Sequence, residues 1–204
     1  MKNHLYLAFI LMAVLGHTHH GTAQKKGYQE GYIITLERDT ISGWVKDRTV
    51  DEPVLELYER IYFRSTKPKS KKRYRAKELL GYGYDNDHFE SVPLKESADF
   101  FTFSYELSPT NDHMFLKRIA KNQFIAYYEK EFVDVDQSYY SAYPLLHKAE
   151  SDTMVRATQG FLGLKRKQLM QYFKDCPKLI AELKIKSFKD TGDVFEYYSK
   201  NCPK

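Results

Sequence analysis

Apolar and polar positions alternate with a period near two along most of the chain, then shift to helical spacing near its end. Ile33-Ile34-Thr35-Leu36 and Ile41-Ser42-Gly43-Trp44-Val45 are β-rich runs around Glu37-Arg38-Asp39, which predicts a hairpin. Val54 to Phe63 predicts a further strand. Leu80-Gly81-Tyr82-Gly83-Tyr84 alternates strictly, Asp85-Asn86-Asp87 signals a turn, and His88 to Val92 returns as a partner strand. Phe100 to Leu107 is another strand, ended by Pro109-Thr110-Asn111-Asp112. Met114–Ile119 and Phe124–Tyr128 flank Ala120-Lys121-Asn122-Gln123 and fit a hairpin, with a helical turn over the first run as the alternative. Ser138 to Leu146 is a tyrosine-rich strand.

Beyond residue 157, Phe161, Leu164, Leu169, Tyr172, Phe173 and Cys176 fall near one helical face. Pro177 suits the first position of a second helix, where its missing N–H costs nothing. Asp190 is a candidate N-cap for a last helix carrying Val194, Tyr197, Tyr198 and Cys202. The chain therefore predicts an α+β fold. A β-rich domain over 24–157, an antiparallel barrel or curved sheet of six to nine strands, is packed by a helical segment over 158–204.

The N-terminus follows a different plan. Lys2 is followed by an unbroken apolar run, Leu5 to Leu15, then a polar stretch and the small-residue site Gly21-Thr22-Ala23. This is the layout of a cleavable signal peptide over residues 1–23, with cleavage near Ala23. The run falls short of the roughly 20 apolar residues that span a bilayer. The expectation is a periplasmic or secreted chain with no transmembrane segment in its mature form. Cys176 and Cys202 are the two cysteines, and in an oxidising compartment such a pair forms a disulfide.

The net charge of +5 is unevenly spread. Residues 64–77 hold Arg64, Lys67, Lys69, Lys71, Lys72, Arg73, Arg75 and Lys77 and no acid. This run reads as a loop leading into a short strand at Tyr74. Lys67, Lys69, Lys71, Lys72, Arg73, Arg75 and Lys77 form a candidate anion-binding patch, with Tyr74 able to stack on a sugar or base. Export makes nucleic acid a poor partner and ranks envelope anions higher.

Catalytic motifs are absent. There is no GxSxG elbow, no SxxK, no HExxH, no phosphate-binding glycine fingerprint and no CxxC spacing. His17-x-His19-His20 lies in the segment to be removed, and His88, His113 and His147 are widely spaced, so no metal site is expected. No cofactor is expected either. Asp85-Asn86-Asp87 lacks the rest of a calcium loop. Asp134 and Asp136 share a strand face and, near His147, are the best candidates for acid–base work. Tyr82/Tyr84, Tyr127/Tyr128 and Tyr139/Tyr140 suit half-buried sheet surface, with a carbohydrate face as the alternative.

Gly31 to Arg48, GYIITLERDTISGWVKDR, resembles the opening of a family of uncharacterised exported proteins of Bacteroidota-type bacteria. Ile61-Tyr62-Phe63, Leu79 to Tyr84, Phe115 to Tyr128 and the cysteine-bearing tail from Asp175 to Cys202 fit the same resemblance. It implies export from a two-membrane bacterium and supplies no activity or site residue. The sequence-based expectation is a non-enzymatic envelope module that binds a protein or an anionic polymer. A hydrolase of envelope polymer and a structural accessory domain of an outer-membrane complex are the alternatives.

Overall fold

The computed structural model describes residues 27–47, 59–66, 70–99, 102–134 and 139–202. The signal-like segment, Val54 to Tyr58, Lys67, Lys69 and Asp136 lie outside them.

Among the described residues, eleven antiparallel strands and three C-terminal helices make an α+β fold. The strands are β1 (Gln29–Ile34), β2 (Thr40–Lys46), β3 (Arg60–Ser65), β4 (Lys71–Arg75), β5 (Gly81–Tyr84) and β6 (Asp87–Asp99). They continue with β7 (Thr102–Leu107), β8 (His113–Lys121), β9 (Ile125–Asp134), β10 (Tyr139–Lys148) and β11 (Thr153–Arg156). Six of them close a barrel in the order β6-β7-β11-β10-β9-β8, sealed by the β6–β8 pairing. The other five extend from it as a wing in the order β5-β1-β2-β3-β4.

The 13-residue strand β6 joins the two parts. Its first half pairs with β5 and β8, and its second half pairs with β7. The barrel interior takes Leu94, Tyr105, Leu116, Ala126, Leu145 and Met154, one from each strand. Alternation sends the intervening residues outward. Ile125, Leu146 and Val155 leave the barrel wall to pack on Leu169, Phe173, Leu179, Leu183 and Val194 of the helical layer. Both faces of β9–β11 thus contribute buried residues, one to the lumen and one to the helical layer.

The wing buries one face. Ile33, Val45, Ile61, Phe63, Tyr82 and Phe89 form its core with Phe115 of β8 and the 3-10 turn Ala76–Glu78. Tyr82 and Tyr84 belong to this core, and their hydroxyls each donate to buried Asp47 at 2.9 Å. Gly43 is required here: a Cβ would lie 2.2 Å from the Arg64 carbonyl and collide with the Phe63 ring.

The helices are α1 (Arg166–Tyr172), α2 (Pro177–Lys184) and α3 (Thr191–Asn201). Pro177 opens α2 and Asp190 caps α3, accepting from the Asp193 N–H at 3.0 Å, as their sequence positions predict. Cys176 and Cys202 are joined. The bond ties the start of α2 to the end of α3. Tyr172 donates to the Thr153 carbonyl at 2.7 Å and Lys148 pairs with Asp175 at 2.7 Å, fixing the layer to the barrel.

The expected hairpin over Met114–Tyr128 is present, with Met114–Ile119 as strand between β6 and β9 rather than the alternative helical turn. Two features differ from the sequence reading. The strand β11 was not foreseen; its four residues are too few to show a period. The first helix starts at Arg166, and Gly160–Leu162 before it is a separate 3-10 turn with Gly160 at φ +53 and Gly163 at φ +77.

Candidate functional site: the outer face of the wing

The basic run is part of the sheet rather than a loop. Arg64 and Ser65 end β3, Lys71–Arg75 is β4, and Lys77 sits exposed in the 3-10 turn that follows. Strand geometry then divides the run, because successive side chains point to opposite faces. Lys72 lies opposite core residue Phe63 and places its ammonium 4.2 Å from the Tyr74 ring, on the inner side. Lys71, Arg73 and Arg75 project to the other side.

There they meet partners from outside the candidate patch. Arg75 faces Arg60, Arg73 faces Tyr62, and Lys71 faces Arg64. One strand further in, Tyr62 faces Lys46 and Arg64 faces Trp44, and Trp44 in turn faces Glu30. Six cations thus share one face with Trp44 and Tyr62. Trp44 is 41% exposed and Tyr62 38%, so both rings remain open to stacking. The cations already use aromatic surface: Arg64 lies 4.1 Å from the centroid of the Tyr28 ring and Lys71 5.1 Å from that of Tyr62. Lys46 and Arg60 were legible only through register, since each stands outside the run and reaches it across the sheet.

Two of these rungs set like charges directly opposite each other, an arrangement that weakens a sheet. Same-face residues along a strand repeat at about 7 Å, so the rungs form a ladder of positive charge about 14 Å long. The ladder lies at the end of the strand order, beside β4, whose outer edge pairs with no other described strand. Lysine-rich edges also deter edge-to-edge aggregation. That role accounts for cations on β4 but not for those on β2 and β3.

The same sheet face continues into the barrel. Tyr32 crosses over Gly83, where a Cβ would lie 2.6 Å from the Tyr32 hydroxyl, and meets His88 Nδ1 at 2.5 Å. Two residues beyond His88 comes Glu90. Arg118 donates to it at 2.8 Å, Lys121 at 2.9 Å and the Tyr128 hydroxyl at 2.5 Å. Burial would push the Glu90 carboxyl up, but these hydrogen bonds and the Lys121 charge outweigh it and hold it below the usual range. Burial and the Glu90 charge push Tyr128 far up. Further along the lumen, Lys130 pairs with Glu96, which also accepts from the Tyr143 hydroxyl at 3.1 Å.

The remaining sequence candidates do not converge. His88 bonds Tyr32, His113 Nδ1 meets the Ser91 hydroxyl at 3.0 Å, and His147 Nε2 lies 2.8 Å from the Ser151 carbonyl. Among the described residues no group of three His, Cys, Asp or Glu side chains is placed to hold a metal ion. Asp87 ends the β5–β6 turn and pairs with Lys117 at 2.8 Å. Asp134 lies opposite Tyr139 at one end of the β9–β10 hairpin, while His147 lies opposite Ala126 near the other. Eight residues of extended chain separate those levels, about 27 Å, so Asp134 and His147 do not share a site. No helix among the described residues is long and apolar enough to cross a membrane.

Comparison of the chain with protein-family models, with curated proteins and with solved structures finds no match in any of the three.

Proposed function

We propose that this chain is an exported, non-enzymatic binding module of the cell envelope that grips an anionic polymer on the outer face of its wing. The observation that carries the reading is the ladder of Lys71, Arg73, Arg75, Arg60, Arg64 and Lys46 beside the exposed rings of Trp44 and Tyr62. Cations at regular spacing neutralise a repeating negative charge and release its counterions, and exposed aromatic rings stack on sugars or bases. An anionic ligand would also relieve the like-charge rungs.

Export is supported by the signal-peptide layout of residues 1–23 and by the joined cysteines, since disulfides persist in oxidising compartments. The resemblance to exported proteins of Bacteroidota-type bacteria points the same way. An envelope polymer is therefore favoured over nucleic acid.

The test is retention of the mature protein on isolated envelopes across a salt series. Retention is expected to be salt-sensitive and to fall sharply in the Lys71→Ser, Arg73→Ser double variant, while Lys72→Ser, on the inner face, changes little. Equal retention of all three proteins contradicts the reading. Crosslinking in native envelopes adds a second readout. One stoichiometric protein partner, captured equally by the double variant, would replace the polymer reading with that of an accessory domain.

A further inference from the structure

We propose that the open mouth of the barrel is a second, separate binding site for a small zwitterion of amino-acid or dipeptide size. At this end the lumen opens into a cavity of 690 Å³. That is the size of small-molecule sites, which favour the mouths of β-barrels.

The lining is chemically divided. Val92, Leu107, Ala126 and Met154 give it an apolar floor. On one wall, Lys121 stands with Glu90 and Tyr128. Lys121 and, from outside the cavity lining, Arg118 both serve the single Glu90 carboxylate, which leaves one positive charge in excess. Glu90 is only 22% exposed and is held by three donors, so this wall is fixed before any ligand arrives. Lys121 itself is 47% exposed and keeps donors free. On another wall, the β10–β11 turn supplies the exposed carboxylates of Glu150 and Asp152 around Ser151. His147 lies among these groups, and its Nε2 is engaged by the Ser151 carbonyl.

A ligand matching this arrangement places a carboxylate on the Lys121 wall, an ammonium against Glu150 and Asp152, and a short apolar side chain on the floor. An anion alone meets repulsion from the turn, and a cation alone meets repulsion from Lys121. The site does not depend on the wing, because none of its lining residues belongs to the cation ladder.

The experiment titrates isotope-labelled mature protein with alanyl-leucine, with its N-acetyl form and with its C-terminal amide, reading backbone amide shifts. The free dipeptide is expected to shift amides of Glu90, Lys121, Ala126 and His147. Blocking either end should weaken binding about tenfold or more, the scale of one lost charge-assisted contact. Lys121→Gln should abolish the preference for a free carboxylate, and Asp152→Asn should reduce that for a free amine. Both positions are solvent-exposed, and an unchanged melting temperature confirms that the variants are folded. Lys71→Ser, Arg73→Ser should bind the dipeptide as the parent does. Absence of shifts at the mouth with every probe overturns the proposal, as does equal binding of free and blocked forms.

Discussion

The barrel and the wing are built from one continuous sheet, yet they treat charge in opposite ways. In the barrel, the carboxylates of Glu90 and Glu96 are each met by cations: Glu90 by Arg118 and Lys121, Glu96 by Lys130. Along β3 and β4 of the wing, cations are stacked against cations. Both faces of β9–β11 in the barrel also contribute buried residues, one to the lumen and one to the helical layer. The wing buries one face and leaves the other to solvent. Like charges set opposite each other on the wing are what the proposed anion site rests on, whereas inside the barrel the carboxylates are neutralised by neighbouring cations.

The strongest way to probe this contrast is to weaken the barrel's outer cover. The Cys176–Cys202 bond closes a 26-residue separation. Replacing both cysteines with serine is expected to lower stability by about 3.5 kcal/mol from chain entropy, read by urea denaturation. The helical layer should loosen while binding at the wing persists. A cavity in the lumen comes next. Leu145 is fully buried, and Leu145→Ala should cost about 3 kcal/mol in the same assay.

Acid sharpens the comparison further, because its titrating groups lie in and around the barrel. Burial, reinforced by the nearby Lys121 charge, depresses His147 against the opposing Ser151 hydrogen bond. A histidine with a lowered folded value binds fewer protons folded than unfolded, so stability should decline as pH falls through 6.5. The depressed Glu90 contributes stability that is present above 4.5 and lost as pH falls further. His147→Gln should flatten the first decline, and Glu90→Gln the second, in melting temperature against pH. The smallest effect belongs to the wing. Lys71→Ser, Arg73→Ser should change stability by less than about 0.5 kcal/mol, with a gain expected because like-charge pairing is relieved.

Much of the fold was legible in the chain. The β1–β2, β5–β6 and β8–β9 hairpins follow from alternation and turn residues, and Pro177 and Asp190 announce the helix starts. What stayed hidden was non-local. Closure of the barrel depends on β6 pairing with β8 more than twenty positions later, which no local pattern encodes. The basic run looked like a loop because its charged residues mask a period of two. In β4 only Tyr74 is partly buried, so hydrophobicity could not mark the strand. The candidate site was therefore half visible. Lys71, Arg73 and Arg75 stand in the run, but Lys46, Arg60 and Trp44 join them only through cross-strand register, and Lys72 leaves them through alternation.

The central claim is that the cation ladder of the wing binds a polyanion, and salt dependence tests it most directly. Affinity of the mature protein for a defined soluble polyphosphate, measured over a salt series, gives a log–log slope that counts the neutralised charges. The ladder predicts a steep slope that drops by about two in Lys71→Ser, Arg73→Ser and stays unchanged in Lys72→Ser. A flat slope, or equal slopes for the parent and the double variant, would contradict it.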